Sequence, residues 1–303
     1  MGMNDGMPGR NPEMYLSRAR EYFNKALQEA GDPPADELLY ARWRAGIERA
    51  GKLDRALEEV RAALRMDPSY AEAYYNLGVI QLERGDVPAA LAAFDRYIEM
   101  SPEDAEAYYQ RGMARREAGH MDHALADLER SAELDAEAGD TFWALAEVRQ
   151  ELGQRAEAIT EIDHALELEP ENPDYLLKKA VLLLAGAADG EEGALDGAMK
   201  CLDEAVELAP ERADLRFARS DAYCRRGELK REAAELSEAI RLEPGYAEAY
   251  LRRHDCLLEL GDRTGAAADW LAYTVLDPED SFLYLAGKAR EAVRRIPTDT
   301  IIN

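Results

Sequence analysis

Cysteine, phenylalanine and tryptophan are scarce in this 303-residue chain, at 3, 5 and 3 copies. Cys201, Cys224 and Cys256 share no close spacing, so neither a disulfide framework nor a CxxC metal site is indicated. Each falls in a helical stretch and is expected to pack as a small apolar side chain in a reducing compartment. No apolar run approaches the length of a membrane span, and residues 1–11 carry no basic region followed by an apolar one. A cytoplasmic protein without a membrane partner is the expectation. Basic residues are short too: 37 Lys and Arg against 62 Asp and Glu give a net charge of −25, which repels the phosphates of nucleic acid. The surplus acid reads as a solvated surface or, more sharply, as a surface for a basic partner.

Chemical motifs are missing as well. There is no Gly-rich phosphate loop, nucleophile elbow or HExxH helix. His120 and His123 flank a helix turn with no further His or Cys near them in sequence, which suits polar turn residues better than a metal pair. No catalytic residue, metal or cofactor is expected.

What remains is abundant Ala, Leu, Glu and Arg, the composition of long helices with almost no strand. Prolines set its period. Pro68, Pro102, Pro170, Pro210, Pro244 and Pro278 are separated by 34, 68, 40, 34 and 34 residues, and Ala136 fills the double gap. On that frame seven units follow one another at 37–70, 71–104, 105–138, 139–172, 173–212, 213–246 and 247–280. The fifth is longer by six residues, placed around the acidic stretch 186–197, which reads as a flexible surface insertion rather than a calcium loop.

Each unit reads as two helices. Gly51, Gly85, Gly119, Gly153, Gly227 and Gly261 mark the turn between them, and the proline stops the second helix. Apolar residues on the second helix recur at three- and four-residue steps, as in Ala90, Leu91, Phe94, Tyr97 and Ile98. Small residues such as Gly78, Gly112, Ala146, Ala180 and Ser220 stand where the paired helices must cross closely. Arg44 and His254 break that rule at the crossing, Glu232 replaces a second-helix Ala, and Ala136 replaces Pro, so less regular packing is expected at those junctions.

Tyr74, Leu77, Gly78, Ala90, Phe94 and Pro102 carry the resemblance these units suggest: the chain resembles the tetratricopeptide repeat family from Glu37 to Asp280. The resemblance implies an all-α, right-handed superhelical solenoid of tandem helix-turn-helix repeats. A stack of repeats exposes an apolar face at each end. Residues 12–36, with Ala19, Phe23 and Ala26 at second-helix spacing, read as a degenerate half-repeat cap. Residues 281–296 read as a closing helix before a tail at 297–303.

In such solenoids the first helices line a concave groove. The fifth residue of each unit would then form a ladder, Ala41, Tyr75, Tyr109, Trp143, Leu177, Phe217 and Leu251. Beside it stand Asn76, Gln110, Lys178 and Arg252, and one turn further Val79, Met113 and Glu147. The resemblance makes Tyr75, Asn76, Val79, Tyr109, Gln110, Met113, Trp143, Glu147, Lys178, Phe217 and Arg252 the candidate peptide-binding residues, although tyrosine at the ladder position can also serve packing. A carboxylate clamp of the kind some members use for chaperone tails is incomplete, because Ala41, Ala45, Glu106 and Gln110 stand at its other places. The expected function is a protein–protein scaffold or adaptor that binds an extended or helical segment, basic in one variant of the reading. A platform acting by self-association or outer-surface contacts, and a non-catalytic enzyme subunit, are the alternatives.

Overall fold

The computed structural model describes residues 12–28 and 39–278, with side chains for 12–26 and 50–278. Two long helices come first, α1 (Pro12–Gln28) and α2 (Leu39–Met66). Six pairs follow: α3 (Ala71–Glu83) with α4 (Val87–Met100), α5 (Ala105–Glu117) with α6 (Met121–Leu134), α7 (Gly139–Glu151) with α8 (Arg155–Leu168), α9 (Pro173–Ala188) with α10 (Ala194–Leu208), α11 (Ala213–Arg225) with α12 (Leu229–Leu242), and α13 (Ala247–Glu259) with α14 (Arg263–Leu276). No strand occurs among the described residues, and each pair packs as a helical hairpin, so the chain is an all-α helical repeat solenoid. It falls into two compact units that divide between Leu168 and Glu169.

One hairpin shows why the sequence folds this way. Gly85 sits at φ 75°, a conformation that a side chain opposes. There the Asp86 N–H donates back to Gln81 O at 2.9 Å and ends α3. The same Asp86 begins α4, its carboxylate accepting from Ala89 N at 3.2 Å, with Pro88 in the first turn. Gly78 then lets the two helices touch: a Cβ on it would stand 2.6 Å from the Phe94 ring. Phe94 fills that space and is fully buried.

The departures resolve differently. His254 fits at its crossing because Nδ1–H donates to Ala266 O at 2.8 Å while the ring packs on Trp270, centroids 5.4 Å apart. Ala136 costs nothing visible, since α6 ends at Leu134 without a proline and has the same length as α4. The insertion in the fifth repeat is not one flexible loop. It lengthens α9 to 16 residues and α10 to 15, against 13 and 14 in the α3/α4 hairpin, and Gly186 is buried within α9. Gly190 and Gly193, both at positive φ, make the remaining turn.

The N-terminal region differs most from expectation. No turn forms at Gly51, which lies inside the unbroken α2. The place of a first helix is taken instead by α1: Leu16 and Ala19 pack against Ala56, Leu57, Val60 and Ala63 of α2 and against Ala73 and Ile80 of α3. Arg20 reaches Asn76 as Asp221 reaches Arg252 between later first helices. Sterics account for the choice. Ala19 is fully buried, as the tight crossing demands, whereas residues 37–50 would bring Arg44 to that point. The side chains of Tyr40, Ala41, Arg44 and Ala45, and the expected segments 1–11, 281–296 and 297–303, lie outside the described residues.

Between repeats the apolar contacts are joined by partly buried arginines. Arg111 donates to Asp127 in its own hairpin at 2.6 and 2.8 Å and to Asp95 of the preceding one at 2.7 Å. Arg219 joins Glu235 and Asp203 in the same way, and Arg253 joins Asp269 and Ser237. Arg149, from a neighbouring register, joins Glu161 and Glu129. Asp269 is buried, and the cation it meets is Arg253. Removing one partner of such a pair strands a charge, which typically costs about 3–5 kcal/mol. Arg253→Met is expected to lower the unfolding free energy of the second unit by an amount in that range, and adding Asp269→Leu is expected to restore most of it, read by helical circular dichroism in urea.

Glu232 is the opposite case. It stands where Ala56, Ala90, Ala124, Ala158, Ala198 and Ala266 fill the other second helices, is buried, and its Oε2 has no hydrogen-bond partner. Burial pushes its pKa above the ordinary carboxylate value, only partly opposed by Arg252, Cys224 and Cys256, while Glu259 adds to the rise. Burial and the same carboxyl push the Cys256 thiol up to about 12. A folded-state pKa above the unfolded one means the native protein holds the proton longer, so stability falls as pH rises through the raised pKa. Glu232→Ala is expected to flatten that decline and to raise the melting temperature most at the alkaline end, as thermal melts across pH will show.

Candidate functional site

Within the first unit the first helices α1, α3, α5 and α7 are consecutive neighbours, and within the second α9 neighbours α11. The candidate residues divide accordingly. Tyr75, Asn76, Val79, Tyr109, Gln110, Met113, Trp143 and Glu147 belong to the first unit; Lys178, Phe217 and Arg252 belong to the second. All are partly exposed rather than buried.

The ladder aromatics are packed on one side. The Tyr75 ring meets Phe94 edge-on at 6.0 Å and Tyr97 at 5.4 Å, and its hydroxyl donates to Glu106 Oε1 at 3.3 Å. Burial first, and then the Glu106 carboxylate, hold that hydroxyl protonated far above the usual phenol range. Tyr109 and Met113 pack against the core around Leu128, Leu145 and Val148. Phe217 stacks with Tyr246 at 4.9 Å and carries the Arg252 guanidinium over its face at 5.1 Å. These rings therefore fix the hairpins with one side and offer the other.

Charged candidates are engaged within the protein. Glu147 accepts from Arg116, which also reaches Glu151 at 2.6 Å. Arg252 donates to Asp221 at 2.9 Å, and Arg225 adds a second bond to the same carboxylate. These pairs link successive first helices across the face.

A cleft of about 290 Å³ opens where α1, α3 and α5 meet. Ala19, Phe23, Val79, Ile80 and Tyr75 give it an apolar wall, and Arg20, Asn24, Asn76 and Gln110 give it polar groups. Arg20 bonds Glu72 and, at 3.4 Å, Asn76 Oδ1; Asn76 Nδ2 donates to Glu72 O at 2.7 Å, and Gln110 Nε2 donates to Glu106 at 2.7 Å. Three of the lining residues, Arg20, Phe23 and Asn24, were not legible as site residues, because their segment read as a decayed second helix. Tyr15, Ala19 and Tyr22 at first-helix spacing could have shown its register. Among the described residues no group of His, Cys, Asp and Glu is arranged to hold a metal, and no helix is long and apolar enough to cross a membrane.

Residues 48–105 and 81–141, and separately 139–172, match the tetratricopeptide repeat family. Residues 48–172 are tetratricopeptide repeats. The tetratricopeptide hairpins also align with solved structures at low identity. A tetratricopeptide repeat protein from Parabacteroides merdae shares 19% identity over 89% of this chain and 94% of its own, with a TM-score of 0.62. Pseudomonas aeruginosa PilF shares 18% over 81% and 99%, at 0.57. YrrB, described as a TPR protein with an unusual peptide-binding site, shares 22% over 66% and 100%, at 0.51. At such identities the likeness concerns the fold. No curated protein sequence matches this one.

Proposed function

We propose that this tetratricopeptide protein is a non-catalytic scaffold or adaptor that holds a peptide segment of a partner protein along its first helices. The supporting observation is the α1/α3/α5 cleft, which sets Phe23, Tyr75 and Val79 beside Asn24, Asn76 and Gln110. An apolar wall takes up side chains while amides exchange hydrogen bonds with an extended backbone, the combination that peptide grooves use. Tyr109 on α5 and Trp143 on α7 are partly exposed aromatics that add apolar area on the neighbouring first helices. The peptide-binding site named for YrrB adds support by analogy of fold. Three free cysteines and a net charge of −25 suit the reducing cytoplasm and disfavour nucleic acid.

Asn76→Ala, Tyr109→Ala and Trp143→Ala are each expected to weaken binding of a peptide selected from a display library about tenfold, near 1–2 kcal/mol. Helical circular dichroism should stay unchanged. Selected peptides that bind all three variants as tightly as the parent chain would show that the segment is held elsewhere.

A further inference from the structure

The outer face of α14 departs from every other second helix. Leu271 and Val275 are 66% and 72% exposed. Their places are held by Asp95 and Glu99 in α4, Glu129 and Glu133 in α6, and Asp203 and Glu207 in α10, and at least one of the two is charged in α2, α8 and α12 as well. With Thr264, Ala268 and Ala272 these residues make an uncharged stripe more than two turns long on a chain whose net charge is −25.

A further first helix stacked after α14 would not bury this stripe. Where α5 follows α4, Asp95 and Glu99 keep side-chain exposures of 52% and 60%. The occupant must come from beyond the line of repeats.

We propose that the stripe is a self-association surface that pairs with α14 of a second copy of this chain, antiparallel about a two-fold axis. The stripe is self-complementary in that arrangement. An axis passing between Leu271 and Ala272 sets each Leu271 against Ala272 of the other copy and each Ala268 against Val275, so a large side chain always meets a small one. Antiparallel pairing also brings each helix N-terminus to the opposite C-terminus, where the dipoles attract. Charge favours the same face, because here two strongly acidic molecules approach without setting carboxylates on one another. One helix pair is a small interface, so the dimer is weak and forms with rising concentration.

Sedimentation equilibrium of the full chain between about 1 and about 500 μM tests this, a span that brackets weak association. The expected result is a monomer–dimer equilibrium that Leu271→Glu with Val275→Glu weakens at least about tenfold, with helicity and melting temperature unchanged. Glu129→Ala with Glu133→Ala should leave it unaltered. A chain that stays monomeric across the range overturns the proposal, and so does a dimer that the double variant leaves intact. A monomer whose double variant also melts lower assigns the stripe to a segment of the same chain. None of these readings depends on peptide binding at the first helices.

Discussion

The fold hangs on how closely two helices pass at one point in each hairpin. Gly78 and Gly112 are there because a Cβ would enter the Phe94 ring or the Leu128 side chain. Once the helices touch there, the large residue opposite is sealed, and its other side becomes the wall on which the next hairpin is built. The same constraint selected the first helix at the N-terminus. A segment offering Ala19 at the crossing was seated, and one offering Arg44 was left as the extension of α2.

Periodicity carries information about contacts that repeat, and that is why the hairpins could be read so fully. Gly85, Gly119, Gly153, Gly227 and Gly261 all adopt the positive φ their positions imply. Gly51 shares the spacing and not the conformation, because Arg44 stands in the sequence where a small residue would let the helix fold back. The arginine bridges were legible too, had charges been tested for period as apolar residues were. Arg111, Arg219 and Arg253 each have partners sixteen residues before and after. Glu232 could be seen as an exception in sequence, but its unpartnered oxygen depends on what surrounds it in space.

The candidate site was legible in outline for the same reason. A ladder position repeats, so Tyr75, Tyr109 and Phe217 could be found; what each ring touches does not repeat. Tyr75 lies between two aromatics of its own hairpin, whereas Phe217 lies under an arginine from the next. The cleft escaped detection because it joins residues from α1, whose register the period of the later repeats does not fix.

Charge on the first-helix face works as structure before it can work as recognition. Arg20, Arg116 and Arg252 are bonded to carboxylates or amides of neighbouring first helices, and Arg225 to Asp221 of its own helix and to Leu184 O of α9, so the cations there are already satisfied. An acidic ligand must break such a bond to gain one, and the exchange returns little net free energy. A basic ligand faces the reverse situation. Glu106 and Glu72 each accept more than one bond yet remain exposed, and a carboxylate has lone pairs for further donors. For the peptide proposed to lie in the cleft, complementarity would therefore come from apolar area and amide bonds first, with a bias toward donors over acceptors.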